Sequence, residues 1–119
     1  MAQKKFRKEF IGDLLATAFE GGINYWCSGV KIKNDDWFGG EFASDVVANG
    51  GAVELVDAEE PGKTYELDFA MICDGVRQTI AEIDGEITYH NDGCEVEDYD
   101  ADFADAAVQY AVFGEVIYG

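Results

Sequence analysis

"AVELVDAEEPGKTYELD", residues 52–68, is the stretch that decides the fold. Apolar and polar residues alternate through "AVELVD" and again through "TYELD", the period-two pattern of strands with one buried face. Between them "AEEPGK" (58–63) holds the chain's single proline, followed by glycine, and so reads as a turn. The two strands are therefore expected to return on each other as an antiparallel hairpin. Helical periodicity on either side of such a hairpin makes the chain α+β.

Downstream, Phe69, Ile72, Val76, Ile80 and Ile83 recur at helical spacing, so a long helix is expected from Asp68 to Ile83, with Gly75 a tolerated weak point and Asp84-Gly85 the stop. Upstream, residues 3–20 place Phe6, Phe10, Ile11, Leu14, Leu15, Ala18 and Phe19 on one stripe of an amphipathic helix, and Gly21-Gly22 reads as its C-cap. "INYWCSGVKIK" (23–33) is rich in β-branched and aromatic residues and reads as a strand, bulged or interrupted near Gly29. "NDDWFGGEF" (34–42) reads as a loop, "ASDVVAN" (43–49) as a short helix or a strand, and "EITYHNDGCEVED" (86–98) as irregular or short strand. A last helix is expected from about Ala101 to Phe113, packed through Phe103, Ala107, Tyr110 and Ala111, with Gly114 ending it before the "EVIYG" tail. The expected architecture is a single globular domain over 1–119, with two to three helices against a small antiparallel sheet of about three strands.

Composition permits this core. Hydrophobic residues are 48% of the 119, enough to offset chain entropy despite a net charge of −17. The charge is uneven: residues 1–33 balance at +3, whereas residues 34–119 carry 22 acids against Lys63 and Arg77. Cys27, Cys73 and Cys94 are odd in number and widely spaced, and no hydrophobic leader or long apolar run is visible, so an intracellular protein with reduced thiols and no membrane span is expected. Cys27 and Cys73 read as small apolar core residues.

"EVEDYDADFAD" (95–105) concentrates this acidity, with six carboxylates around Tyr99 and Phe103 and no cation. Asp98, Asp100 and Asp102 match the opening ligands of a calcium loop, but Phe103 stands at the sixth position, where Gly is needed, and Gln109 at the twelfth, where Glu is needed. His90 and Cys94 are spaced for zinc, yet no second ligand pair accompanies them. The same two residues are the candidate nucleophile and base, in a segment that reads as loop. Paired carboxylates mean little in a chain with 25 acids, and the "GG" pairs lack the following Lys-Ser/Thr of a phosphate loop. No enzyme activity, metal or cofactor is expected. Direct nucleic-acid binding is opposed by the charge, since "KKFRK" is one short basic patch.

The inverse fits better. A domain of this length has a radius of gyration of about 13–14 Å, hence a width of ~35 Å, and duplex DNA over that length carries on the order of 20 charges at one per ~1.7 Å. On a helix, Asp98, Asp102 and Asp105 fall along one face at i, i+4 and i+7. The expected role is that of a DNA mimic that occupies the nucleic-acid groove of a basic host DNA-binding or defence protein, as anti-restriction and anti-CRISPR inhibitors do. The contact residues would be Glu95, Glu97, Asp98, Asp100, Asp102 and Asp105, with Tyr99 and Phe103 as apolar anchors, extended by Glu59 and Glu60 on the hairpin turn and by Glu82, Asp84 and Glu86. Helix capping by Asp98 or Asp100 and simple solubility compete with this account.

The ends of the chain add a setting. "DLLATAFEGGINYWC" (13–27) with "QYAVFGEVIYG" (109–119) resembles a group of small acidic proteins of bacteriophages and other mobile elements that pair a DLL-x-x-AFEGG-x-x-YW start with a QYALFGE-type end. The resemblance implies the cytoplasm of a bacterial host and no particular mechanism. Physically, the motifs read as a helix stop, a packed strand and a second helix stop, or as the walls of a cleft. A protein- or ligand-binding module with its pocket near "EGGINYW" is therefore the alternative to mimicry.

Overall fold

In the computed structural model, which describes residues 5–119, the expected hairpin supplies two strands of a three-stranded antiparallel sheet. β1 (Cys27–Ile32) and β3 (Thr64–Leu67) flank β2 (Val53–Asp57), with Val30 and Tyr65 on either side of Leu55. Alternation then puts Val30, Ile32, Val53, Leu55, Tyr65 and Leu67 on the face toward the helices, and Lys31, Glu54 and Glu66 on the other. The irregularity expected near Gly29 is a register shift between Cys27 and Gly29. The hairpin turn is held by Asp57, whose carboxylate accepts the backbone N–H groups of Glu59 and Glu60 at 2.8 and 2.9 Å and the Tyr65 hydroxyl at 2.8 Å.

Among the described residues four α-helices pack around the sheet and against one another: α1 (Lys8–Thr17), α2 (Ala43–Ala48), α3 (Phe69–Glu82) and α4 (Ala101–Phe113). The undecided 43–49 segment is α2, tied down by the Asp45 carboxylate, which accepts the N–H groups of Glu41 and Phe42 at 3.0 Å each. Asp68 caps α3 by accepting from Met71 N–H at 2.9 Å, and Asp100 caps α4 by accepting from Phe103 N–H at 2.8 Å. The 86–98 segment is more regular than expected: β4 (Ile87–His90) and β5 (Gly93–Val96) form a second, two-stranded antiparallel sheet.

The first helix departs from its sequence reading at both ends. Gln3 and Lys4 lie outside the described residues, and Phe6 is extended, bridging in parallel to Cys94 while its ring stays buried. At the other end, Gly21 and Gly22 do not form a left-handed cap; α1 widens into a π-helical turn over Ala18–Gly22. Gly22 is buried because the start of α4 lies against it, and a Cβ there would sit 3.0 Å from the carbonyl oxygen of Ala101.

Gly75 likewise is a contact rather than a weak point. A Cβ at Gly75 would fall 2.1 Å from the carbonyl oxygen of Ala107 and 3.1 Å from Cβ of Ala111, so glycine lets α3 and α4 cross at backbone distance. The buried face of α4 is broader than expected: Ala107 is buried and Phe103 and Ala111 pack against the core as expected, but the most buried residues centre on 104–109. Ala104, Asp105, Ala106, Ala107, Val108 and Gln109 are buried, whereas Phe103, Tyr110 and Ala111 are half-buried. Ile11, Leu14, Leu15, Val46, Val47, Leu55, Leu67, Ile72, Val76 and Val108 complete a continuous core, each such side chain contributing about 1.5–3 kcal/mol on burial. The molecule measures 41 × 33 × 23 Å with a radius of gyration of 13.5 Å. No helix among the described residues is long and apolar enough to cross a membrane.

Candidate acidic partner-binding surface

Where α3 ends and α4 begins, the chain makes a surface depression of about 570 Å³. Ile83, Asp84 and Gly85 form one wall; Glu97, Asp98, Tyr99, Asp100, Asp102 and Phe103 form the other. Five carboxylates thus surround an apolar floor, and none of the described lining residues is basic. Tyr99 is half-buried, packed edge-on against Phe10 at 5.7 Å and tilted against Phe103 at 6.1 Å, so the floor is anchored to the core. Burial in this aromatic cluster pushes the Tyr99 phenol up. Asp100 does two things here, capping α4 and facing the depression.

The other residues of the expected surface are placed differently. Glu82 and Glu86 are exposed near this wall in sequence but do not line the depression, and Glu59 and Glu60 stand on the hairpin turn, where their charge reaches Tyr118. Glu95 is inside an ion-pair cluster: its Oε2 lies 2.7 Å from Arg7 Nη1 and 2.7 Å from His90 Nε2. That pairing, together with Asp92 at 3.4 Å, raises the Arg7 pKa, and it ties the segment before α1 to β5.

Asp105 is the clearest correction. It does not continue a row with Asp98 and Asp102, because Asp98 precedes the helix and Asp105 is only 8% exposed. Its carboxylate accepts the Trp26 Nε1–H at 2.8 Å, the Tyr25 hydroxyl at 2.5 Å and Gln109 Nε2–H at 2.9 Å. Gln109, fully buried, turns its Oε1 to the N–H groups of Ile117 and Tyr118 at 2.8 and 2.9 Å, and Tyr118 stacks on Trp26 with ring centres 5.6 Å apart. Desolvation, and then the bond to Asp105, push the Tyr25 phenol up to about 12.

The "EGGINYW" and "QYAVFGEVIYG" stretches are therefore in direct contact, joined through Asp105 and Gln109. Beside the first of them are a hollow of about 250 Å³, lined by Phe19, Ile23, Asn24, Cys27, Ser28, Gly29 and Val30, and a larger groove between α1 and α2 whose lining includes Phe19 and Glu20. No protein-family model, curated protein or solved structure matches the chain. The site is therefore read from its own geometry.

That geometry separates His90 from Cys94. β4 and β5 pair with His90 opposite Gly93 and Tyr89 opposite Cys94, so the imidazole and the thiol point to opposite faces of the ribbon, and the Cys94 thiol donates to the Lys5 carbonyl at 3.6 Å. Cys27, Cys73 and Cys94 are all buried free thiols; desolvation pushes Cys73 up to about 11 and raises Cys27. The donors that do converge are His90, Glu95 and Glu97, whose ligand atoms lie within 4.8 Å of one another. Arg7 already supplies positive charge to that cluster. Glu95 and Glu97 lie two apart in the chain, and the β4–β5 turn brings His90 beside them; the sequence reading missed this set because it treated the turn as loop.

Proposed function

We propose that this protein is an acidic inhibitor that binds a basic nucleic-acid-binding protein of a bacterial host and occupies the groove meant for DNA. The observation that carries the proposal is the convergence of Asp84, Glu97, Asp98, Asp100 and Asp102 around Tyr99 and Phe103, with Ile83, 62% exposed, on the facing wall. Carboxylates in this arrangement pair with Lys and Arg, while the apolar floor gives the contact a desolvated centre in which such pairs gain strength. Over the 33–41 Å of the molecule's longer dimensions, duplex DNA carries roughly 19–24 charges, and the chain carries a net −17. Long-range attraction of that size speeds encounter with a basic groove and makes binding fall steeply with salt.

The surface acts as a charge cluster rather than a linear copy of a phosphate strand, since Asp105 faces inward and Glu95 is paired with Arg7 and His90. The test is competition. A DNA-binding protein captured on the immobilised chain at low salt is expected to be released by duplex DNA and by raised salt. Retention in the presence of excess duplex overturns groove occupancy.

A further inference from the structure

A second surface lies along α1. Between α1 and α2 runs a groove of about 570 Å³ that shares no lining residue with the acidic depression. Gly12, Ala16, Phe19, Ala43 and Ala48 give it an apolar floor, and Phe42, 66% exposed, stands at its edge. Glu9, Asp13, Glu20 and Asp45 rim it, against Lys8 alone among its lining residues. Glu9 and Asp13 are about one turn apart on α1, ~5.4 Å along its axis, and Glu20 follows in the π-helical turn.

The loop that delivers Phe42 is held in a costly conformation. Asn34, Asp35 and Phe38 have φ of 57°, 56° and 50°, left-handed values that non-glycine residues rarely adopt. Phe38 is held in place both from outside and from within the loop: Asn49 Nδ2 donates to its carbonyl at 3.0 Å, its ring lies over Gly51, and its N–H donates to Asp36 at 3.0 Å. The loop leaves Trp37 and Phe42 42% and 66% exposed.

We propose that this groove is a docking site for a cationic amphipathic helix of a partner protein. An apolar floor between two helices accepts the apolar face of a third, and the acidic rim selects Lys and Arg on that helix's flanks. Charge excludes the alternatives: nucleic acid is repelled by the rim, and a second copy of this chain brings another net −17. The proposal does not depend on the mimicry reading, because the two surfaces are disjoint.

The test uses a fluorescein-labelled peptide of about 18 residues, five turns of helix, with Leu on one face and Lys on the other, beside a scrambled isomer of identical composition. Anisotropy titrations at about 0.15 M salt screen non-specific attraction. The amphipathic isomer is expected to bind at least about tenfold more tightly than the scrambled one, a difference of ~1.4 kcal/mol. Phe42→Asp, at a side chain that carries little of the core, should abolish that advantage, and so should Glu9→Lys with Asp13→Lys on the exposed face of α1. Asp98→Asn with Asp102→Asn, on the other surface, should leave it intact. Equal binding of the two isomers, or an advantage that survives both groove variants, overturns the proposal.

Discussion

Asp105 carries a charge into the interior of a chain already at −17, and it is tolerated because the Trp26 indole, the Tyr25 hydroxyl and the Gln109 amide all donate to it. Asp105→Ala leaves the buried Trp26 N–H without its acceptor and should cost about 1–3 kcal/mol of stability. Asp102→Asn, at an exposed position, should stay within ~0.5 kcal/mol. Urea denaturation of the two variants checks the contrast. Two of the three donors that separate the buried Asp105 from the solvated Asp102, Tyr25 and Trp26, lie about 80 residues away and leave no mark in "DADFADAAVQY"; the legible hint was a polar pair, Asp105 and Gln109, four apart inside an otherwise apolar run.

The Asp57–Tyr65 pair gives a second residue-scale expectation. Burial, then the bond to Asp57, move the Tyr65 phenol from an ordinary 10.0 to about 12. Its contribution is complete below pH 10, where the phenol is neutral in both states, and is lost as the pH rises toward 12. The Tm should therefore fall across that window, and less steeply in Tyr65→Phe. Asp57 works in the opposite direction: the N–H groups of Glu60 and Glu59 and the Tyr65 hydroxyl hold its carboxyl below 3.8, so its contribution is present above that pH and fades as acid is added below it. Thermal melts of the wild type, Asp57→Asn and Tyr65→Phe across both windows test the pair.

At the scale of elements, what was legible followed how local the cause is. The hairpin, the span of α3 and the span of α4 were readable because alternation, helical spacing and caps at Asp68 and Asp100 are written within a few residues. The π-turn after α1 and the crossing at Gly75 were not, since both glycines serve a neighbour distant in sequence, Ala101 for Gly22 and Ala107 for Gly75. Gly75→Ala must drive a Cβ into the Ala107 carbonyl and should destabilise by about 1–3 kcal/mol or more. Gly21→Ala meets nothing within 4 Å and should be neutral or stabilising by up to ~1 kcal/mol. Calorimetry on both variants separates a packing glycine from a replaceable one. Equal effects would contradict the helix crossing. In the candidate site, the grouping of Asp84 with the 97–103 acids was anticipated in outline, but only the packing of α3's end against α4's start makes them one surface.

For the whole molecule the dominant quantity is charge. Self-repulsion among the 25 acids opposes the compact state, so raising salt from ~0.02 to ~0.5 M should raise the Tm; a flat or falling Tm would show that the carboxylates are locally compensated. Five of those acids meet at one depression, which is the basis of the proposed function, and the buried positions define how to test it fairly. Asp105 must be left intact, and Asp100 must be changed to Asn, which removes charge yet keeps a capping oxygen. The most direct measurement is paired capture from bacterial lysate on the immobilised wild type and on an Asp84→Asn, Glu97→Gln, Asp98→Asn, Asp100→Asn, Asp102→Asn variant shown to be folded by its thermal melt. The account expects the wild type to hold a basic DNA-binding protein that duplex DNA releases, and the folded variant to lose it. A partner held equally by both proteins, or one that duplex DNA does not displace, would contradict it.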